Sequence, residues 1–238
     1  MMPTSHGSLS PTRAREIERC VRRLQGELWK EQLRLDPSTS DELSVLRPGV
    51  ALERLGYDVQ TVDCLGESTL QGKRVRIAGL LDRNDQIVRL SRQFPEPELL
   101  YTASHELAHV VLGHQGEMIH RDRPMDPSTW QKDPKEREAD YFAACFRMPE
   151  KSVRRYFEEI FLTEHFVLTE ATAFALFYTS CDVEATRIRS ERDLSLTLAR
   201  ATSYGRPVQS LIEIFNVTPS AMARRLEELR LLTAPVRR

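Results

Sequence analysis

The sequence predicts a mixed α+β fold in which a small antiparallel sheet is combined with helices. Short alternating segments between residues 57 and 90 are typical of strands, and apolar residues recur at helical spacing before and after them. Beyond residue 150 only helical patterns occur, so a helical C-terminal portion is expected. With 238 residues, 40% of them hydrophobic, the chain can bury one sizeable core and a small helical appendage.

The first part of the chain is predicted to form two helices. Apolar residues repeat every three or four positions between Ile17 and Leu28, and Asp36-Pro37-Ser38 ends this pattern. A second, short helix is expected over Val50 to Leu55, because Gly56 stops it. Residues 1–12 are polar and rich in Pro and Ser, and we expect them to form a disordered tail.

The sheet is predicted from alternation of side-chain type. Residues 57–61 and 75–77 alternate as strands do, and Arg83-Asn84-Asp85 offers a turn before the apolar run Ile87 to Leu90. These segments predict a hairpin immediately before the next helix.

That next helix carries His105-Glu106-Leu107-Ala108-His109. Histidines at i and i+4 project from one helical face and can offer neutral ring nitrogens to one tetrahedral Zn²⁺. Glu106 would lie near the open coordination position, where a carboxylate is the natural general base for a water that attacks a carbonyl. Two surface histidines that happen to flank a glutamate are the alternative. The uncharged residues around the motif, as on a buried helix, argue against it.

Glu136 is the predicted third zinc ligand. Asp133-Pro134 marks a helix start, and apolar residues recur on one face between Ala139 and Phe146. Glu136 extends that face by one turn, whereas Glu138 is expected to point to solvent. Asp140 is placed to accept the second ring N–H of a ligating histidine and so to fix its tautomer. A capping box, in which Glu136 bonds the amide of Asp133, is the alternative.

These motifs resemble the ImmA/IrrE-type metallopeptidases, a compact branch of the gluzincins. The resemblance rests on the HExxH motif at 105–109, the trailing Leu112-Gly113-His114, the Glu-x-x-Ala-Asp-x-Phe-Ala run at 136–143 and the following Met148-Pro149. It implies a minigluzincin-like zinc peptidase core with His105, His109 and Glu136 as ligands and Glu106 as the catalyst. It also implies that an edge strand of the preceding hairpin lies beside the cleft and binds substrate backbone.

The resemblance further implies a function. Such peptidases cleave helix-turn-helix repressors and thereby switch on genes of mobile elements or stress responses, so we expect a zinc-dependent endopeptidase whose partner is a repressor protein. Two alternatives stay open. One is a DNA-associated transcriptional regulator that keeps the zinc site for structure or sensing, and the other is a module that only binds a partner in its cleft.

The residue that stabilises the oxyanion is left open by the sequence. His114, His120 and Tyr101 are the candidates for lining the cleft or stabilising the oxyanion. His120 belongs to a polar, proline-bearing linker, residues 113–133, which joins the two helices that carry the predicted ligands. This linker either borders the cleft or is a solvated connector.

The sequence divides into a tail at 1–12, a zinc metallopeptidase core at 13–149 and a helical region at 150–238. Within the last region, residues 207–230 resemble a helix-turn-helix.

In this helix-turn-helix-like segment, Thr218 is the expected N-cap and Pro219 the first residue of the second helix. Arg224 and Arg225 would be the basic residues of that helix if it lay on the surface. A structural role is favoured over direct DNA binding, because the chain has no basic excess.

Charge, hydropathy and cysteine content together indicate the cellular compartment of the protein. A formal net charge of -1 argues against a chain-wide nucleic-acid or membrane role. No apolar run approaches the length of a membrane span, and no signal-peptide pattern opens the chain. The 4 cysteines lack CxxC spacing, which suits a reducing compartment. We therefore expect a protein of the bacterial cytoplasm.

Overall fold

The computed structural model describes residues 9–70, 73–114, 119–122, 133–177 and 188–233. The chain divides between Arg147 and Met148 into two compact units. The predicted α+β class is confirmed, since the first unit combines helices with a small sheet and the second is mainly helical. Among the described helices, none has the length and apolar character needed to cross a membrane.

The first unit contains the predicted hairpin and both helices with candidate ligands. Its helices are α1 (Pro11–Leu35), α2 (Pro48–Arg54), α3 (Glu96–Val111) and α4 (Pro134–Arg147). Its strands are β1 (Asp58–Val62), β2 (Glu67–Leu70), β3 (Lys73–Arg76), β4 (Gly79–Asp82), β5 (Ile87–Ser91) and β6 (Ile119–Asp122).

Helix α1 begins earlier than the sequence predicted. The Ser10 hydroxyl accepts a hydrogen bond from the amide three residues on, and Pro11 fills the first helical position, so the N-terminus is capped. This cap and the first two helical residues lie within the segment expected to be a tail. The predicted apolar face between Ile17 and Leu28 is buried. Residues 1–8 of the expected tail lie outside the described residues.

The main sheet has the strand order β1-β5-β4-β6, and β2 pairs only with β3 in a separate ladder. Strands β4 and β5 form the hairpin expected around Arg83-Asn84-Asp85. One detail differs from the antiparallel sheet that was predicted, because β1 runs parallel to β5. The prediction that a hairpin strand is the edge was wrong. The later segment β6 pairs with β4, so β4 and β5 each have neighbours on both sides.

The core of the first unit joins α1, the sheet, α3 and α4. Its buried members include Ile17 of α1, Leu81 of β4, Leu107 of α3 and Phe142 of α4. Because α3 is packed against strands on one side and α4 on the other, the side chains of its central turns are enclosed. The core therefore places the HExxH motif in the interior of the unit.

The second unit is built from short helices and a two-stranded parallel ladder. Its elements are α5 (Glu150–Phe161), β7 (Phe166–Val167), α6 (Glu170–Phe177), α7 (Glu191–Arg200), α8 (Leu211–Phe215), α9 (Pro219–Glu228) and β8 (Leu232–Thr233). Phe157, Phe161, Phe166 and Tyr204 form an aromatic cluster with edge or tilted ring contacts. The helix predicted around Phe174 is present as α6, while Tyr178 lies outside the described residues.

Helices α8 and α9 occupy the helix-turn-helix-like segment. Asn216 adopts a left-handed conformation that ends α8, and Thr218 caps α9 by accepting from the amide of Ala221, as predicted. Arg225 is not a surface residue, since it is buried and its Nε donates to the main-chain oxygen of Met148. Arg224 is exposed and pairs with Glu228 on the same helix.

Candidate metal centre

Helix α3 carries the HExxH motif in its buried middle. Its first turn holds Glu96 and Glu98, whose negative charges interact favourably with the positive end of the helix dipole. Every residue from Tyr101 to His109 is buried. His105 and His109 are one turn apart, and their Nε2 atoms are 3.0 Å from each other. The helix thus presents two enclosed imidazoles toward one point.

Helix α4 brings the Glu136 carboxylate to the same point. Oε2 lies 3.3 Å from His105 Nε2, and Oε1 lies 3.7 Å from His109 Nε2. At the start of α4, an Asp133 carboxylate oxygen accepts from the amide of Lys135. Because the oxygens of Glu136 face the imidazoles, the structure favours the ligand interpretation over the capping box.

The three side chains fit a divalent cation such as zinc. Their ligand atoms all lie within 4.8 Å of one another. Atoms bound to a tetrahedral Zn²⁺ at ~2.0–2.1 Å are about 3.3 Å apart, which is close to the separations found here. Two imidazole lone pairs and a carboxylate directed at one point repel each other unless a cation lies between them. The donor set therefore has both the geometry and the chemistry of a metal centre.

Asp140 makes the contact predicted for it. Its buried Oδ1 lies 3.1 Å from His105 Nδ1. An ionised carboxylate only accepts hydrogen bonds, so Nδ1 of His105 donates and its Nε2 keeps a lone pair. That lone pair faces His109 and Glu136, which is the orientation that metal binding requires.

Glu138 does not point to solvent, and that prediction was wrong. Its Oε2 accepts from an Arg13 guanidinium nitrogen at 2.6 Å and lies 3.1 Å from His114 Nε2. Arg13 belongs to the first turn of α1. Helix α1 packs along α4 and covers the side of α4 that was expected to face water. His114 is itself buried, and its Nδ1 lies 3.0 Å from His109 Nδ1.

The charges around His114 follow from these contacts. The hydrogen bond from Arg13 holds the pKa of Glu138 below its ordinary value, and the same bond raises the pKa of Arg13. Burial lowers the pKa of His114, although the neighbouring Glu138 opposes this effect. The set therefore consists of a carboxylate, a guanidinium and an imidazole that favours its neutral form.

The structure gives different contacts to the residues that were candidates for stabilising the oxyanion. The Tyr101 hydroxyl donates to the main-chain oxygen of Asp140 at 3.1 Å and so connects α3 with α4. His114 lies against Nδ1 of His109, on the ring edge opposite the Nε2 atom that faces Glu136. These contacts favour supporting roles for both residues. His120 lies in β6, where its side chain is outside the described part of the chain, as is most of the 113–133 linker.

Glu106 is fully buried and lies against β4. A Cβ built at Gly79 would overlap Thr102 Cγ2 and would lie 3.5 Å from Glu106 Oε1. Only glycine therefore allows β4 to approach this part of α3 so closely. Sequence reasoning missed Gly79, although a glycine inside a strand is a known sign of close approach. It also missed Arg13, for which the local sequence offers no sign.

The family Peptidase M78, described as the IrrE N-terminal-like domain, matches residues 53–189. This range includes the HExxH motif and Glu136, while α1 precedes it and α7, α8 and α9 follow it. No curated protein matches the chain.

Proposed function

Because the chain belongs to the Peptidase M78 family of IrrE N-terminal-like domains, we propose that it is a zinc-dependent endopeptidase. The observation that carries the proposal is the convergence of His105, His109 and Glu136 on one point. The matched family range contains all three residues. Glu106 supports the proposal further, since it is buried on the helix that carries both histidines.

The chemistry is divided between the metal and Glu106. A zinc ion held by the three side chains supplies Lewis acidity toward a carbonyl oxygen and toward water. Glu106 takes the proton of the attacking water on its carboxylate and delivers it to the leaving amine nitrogen. The burial of Glu106 keeps bulk water away from this proton.

Strand β6 supports a substrate that is bound in extended form. It is the end strand in the order β1-β5-β4-β6, so among the described strands it has a neighbour on one side only. The backbone of an extended peptide can pair with such an edge, which selects for main chain rather than for particular side chains. An unfolded or looped segment of a protein fits this edge better than a compact surface does.

The proposed substrate is a helix-turn-helix repressor. This part of the proposal rests on the resemblance of residues 105–149 to the ImmA/IrrE-type peptidases. Direct DNA binding has less support from α9. Arg225 is buried and Arg224 pairs with Glu228, so the helix offers few free basic groups among its described residues.

The test is zinc binding and repressor cleavage by matched variants. Purified protein should hold close to one zinc, and His109→Ala or Glu136→Ala should lose it. Glu106→Gln should keep zinc, because glutamine preserves the shape of the side chain and Glu106 is not a ligand. It should cleave a co-expressed repressor about 10²- to 10⁴-fold more slowly, since glutamine accepts no proton at neutral pH. Mass spectrometry of the fragments measures the cleavage.

Two results would contradict the proposal. Equal cleavage by the wild type and Glu106→Gln would mean that a contaminating protease makes the cut. Zinc-loaded wild type that cleaves no repressor encoded beside its gene would remove the proposed substrate. Salt-sensitive, sequence-specific DNA binding by the same protein would then favour the regulator.

A further inference from the structure

We propose that Arg13, Glu138 and His114 form a hydrogen-bond relay that fixes the tautomer of His109. The relay would make α1 part of the metal centre, although α1 lies outside the matched family range. This inference rests on the proposed function, because it takes His109 to be a metal ligand. The three residues are positioning residues that act through His109.

The relay is continuous through three contacts. An Arg13 guanidinium nitrogen lies 2.6 Å from Glu138 Oε2, and this same oxygen lies 3.1 Å from His114 Nε2. His114 Nδ1 lies 3.0 Å from His109 Nδ1. The rings of His109 and His114 meet edge to face, with centroids 5.0 Å apart. The exposed fraction of the side chain falls from 36% at Arg13 to 16% at Glu138 and 7% at His114. The relay therefore runs inward from the surface.

The direction of the relay follows from which atoms can donate. An ionised carboxylate only accepts, so Nε2 of His114, which faces Glu138, carries a proton. A neutral imidazole has one N–H, which leaves Nδ1 of His114 as an acceptor. Nδ1 of His109 is then the donor across the 3.0 Å contact, and its Nε2 keeps the lone pair. This lone pair faces Glu136.

The reverse arrangement is unfavourable at both ends. If His114 donated through Nδ1, its neutral ring would present an Nε2 lone pair to the Glu138 carboxylate, which is also an acceptor. His109 would then carry its proton on Nε2 and could not bind a metal through that atom. The charge at Glu138, held in place by Arg13, thus selects the metal-binding tautomer of His109.

Further contacts hold α1 against the ligand-bearing helix. The Tyr141 hydroxyl donates to Glu18 at 2.7 Å, and the Gln25 amide donates to the main-chain oxygens of Cys145 and Phe146. These contacts extend along α4 from its middle to its C-terminal end. They keep α1 in register with α4, which explains why Arg13 reaches Glu138 across 125 residues of sequence.

The two histidines are supported independently. His105 donates directly to Asp140, a carboxylate on α4. His109 instead depends on another imidazole and on a carboxylate one step farther away. Loss of the relay should therefore weaken His109 as a ligand and leave the tautomer of His105 unchanged.

The experiment measures the zinc affinity of the full chain by competition with a chromophoric chelator at fixed pH. His114→Leu should weaken zinc binding by about 10- to 100-fold, the usual effect of removing a partner behind a ligand, and Glu138→Gln should cause a smaller loss because it is one step farther from His109. His114→Gln should retain more affinity than His114→Leu, because its amide can both accept and donate. Arg13→Met should give a smaller loss than Glu138→Gln.

Glu16→Gln is the matched control. Glu16 accepts from the other terminal nitrogen of Arg13 at 3.0 Å but has no described contact with the relay beyond Arg13. Its substitution should leave zinc affinity unchanged. The thermal midpoint of each metal-free variant, and the visible spectrum after Co²⁺ substitution, separate a loss of fold from a change at the metal.

A double-mutant cycle distinguishes a relay from general packing. In the His114→Leu background, Glu138→Gln should have no further effect on zinc affinity, because the connection is already broken. In the Asp140→Asn background, Glu138→Gln should still reduce zinc affinity by its full factor. Wild-type affinity in Glu138→Gln, or full additivity with His114→Leu, would overturn the relay. A wild-type chain that binds no zinc would overturn the proposed function itself, so the two failures are distinguishable.

Discussion

His105 and His109 occupy adjacent turns of one helix but are supported by different chemistry. A carboxylate accepts from His105 directly, whereas His109 contacts a second imidazole. A direct carboxylate raises the basicity of the imidazole more than a neutral partner does. His105 should therefore be the stronger of the two imidazole ligands.

We expect Asp140→Asn to weaken zinc binding by about 10- to 100-fold, because the neutral amide no longer holds the His105 N–H as a carboxylate does. Chelator competition measures the effect. Tyr141→Phe is the control on the same helix, since that hydroxyl contacts Glu18 rather than a candidate ligand, and it should weaken zinc binding less than Asp140→Asn does. Equal losses in both variants would assign the effect to the packing of α4.

Gly79→Ala tests the close approach of β4 to α3. The new methyl group overlaps Thr102, so we expect the free energy of unfolding to fall by ~1–3 kcal/mol, as for overpacked cores. Turnover should fall as well, because relieving the overlap with Thr102 requires a shift between β4 and α3, the helix that carries Glu106. Urea denaturation and a cleavage assay measure the two effects.

Gly26→Ala is the matched control for Gly79→Ala. Gly26 lies inside α1, and a Cβ built there meets nothing within 4 Å. Alanine should stabilise the helix by ~0.5–1 kcal/mol, because it has the higher helix propensity. The two substitutions thus have opposite expected signs, and a stable, fully active Gly79→Ala would contradict the close-approach interpretation.

At the level of elements, α9 is held mainly by packing. Most of its residues from Ala221 to Leu226 are buried, with Arg224 the exception. A helix that reads DNA presents side chains to the major groove, whereas this one turns its middle inward. The helix-turn-helix-like segment of the sequence is thus present as two helices of the second unit, and the middle of the second helix is mostly buried.

Arg225→Met should therefore destabilise the second unit. The guanidinium donates to the Met148 main-chain oxygen in a buried setting, and an unsatisfied buried carbonyl costs ~1–3 kcal/mol. Arg224→Met should change the free energy of unfolding by less than about 0.5 kcal/mol, since its side chain is 53% exposed. The difference between their urea midpoints is the measurement, and equal midpoints would count against the buried role of Arg225.

For the molecule as a whole, zinc should act as a stabilising ligand. The proposed ligands lie on α3 and α4, so binding would link two helices that a linker of more than 20 residues separates in sequence. A ligand present at 100 times its Kd stabilises the folded state by ~2.7 kcal/mol. Adding a chelator should lower the Tm of the wild type and leave that of His109→Ala unchanged. An equal response in both would place the zinc elsewhere.

Several features could be predicted because their causes are local. His105 and His109 share a face through helical spacing alone, and Glu136 and Asp140 lie one turn apart for the same reason. Thr218-Pro219 marks the start of a helix because the threonine hydroxyl accepts from the amide of Ala221 and proline, which has no N–H, suits the first helical position. The candidate ligand set was therefore accessible from patterns that each lie within one helix.

The sequence by itself thus determined the α+β class, the HExxH helix and the residues that converge at the candidate metal centre. Only the tertiary structure decided that β1 runs parallel to β5 and that β6 is the edge strand. It also decided that Glu138 faces Arg13 across 125 residues of sequence. These features depend on which surfaces pack together, and residue periodicity describes one element at a time. A polar side chain such as Glu138 is covered by a residue of another element. The sequence around Glu138 therefore gives no sign of that residue.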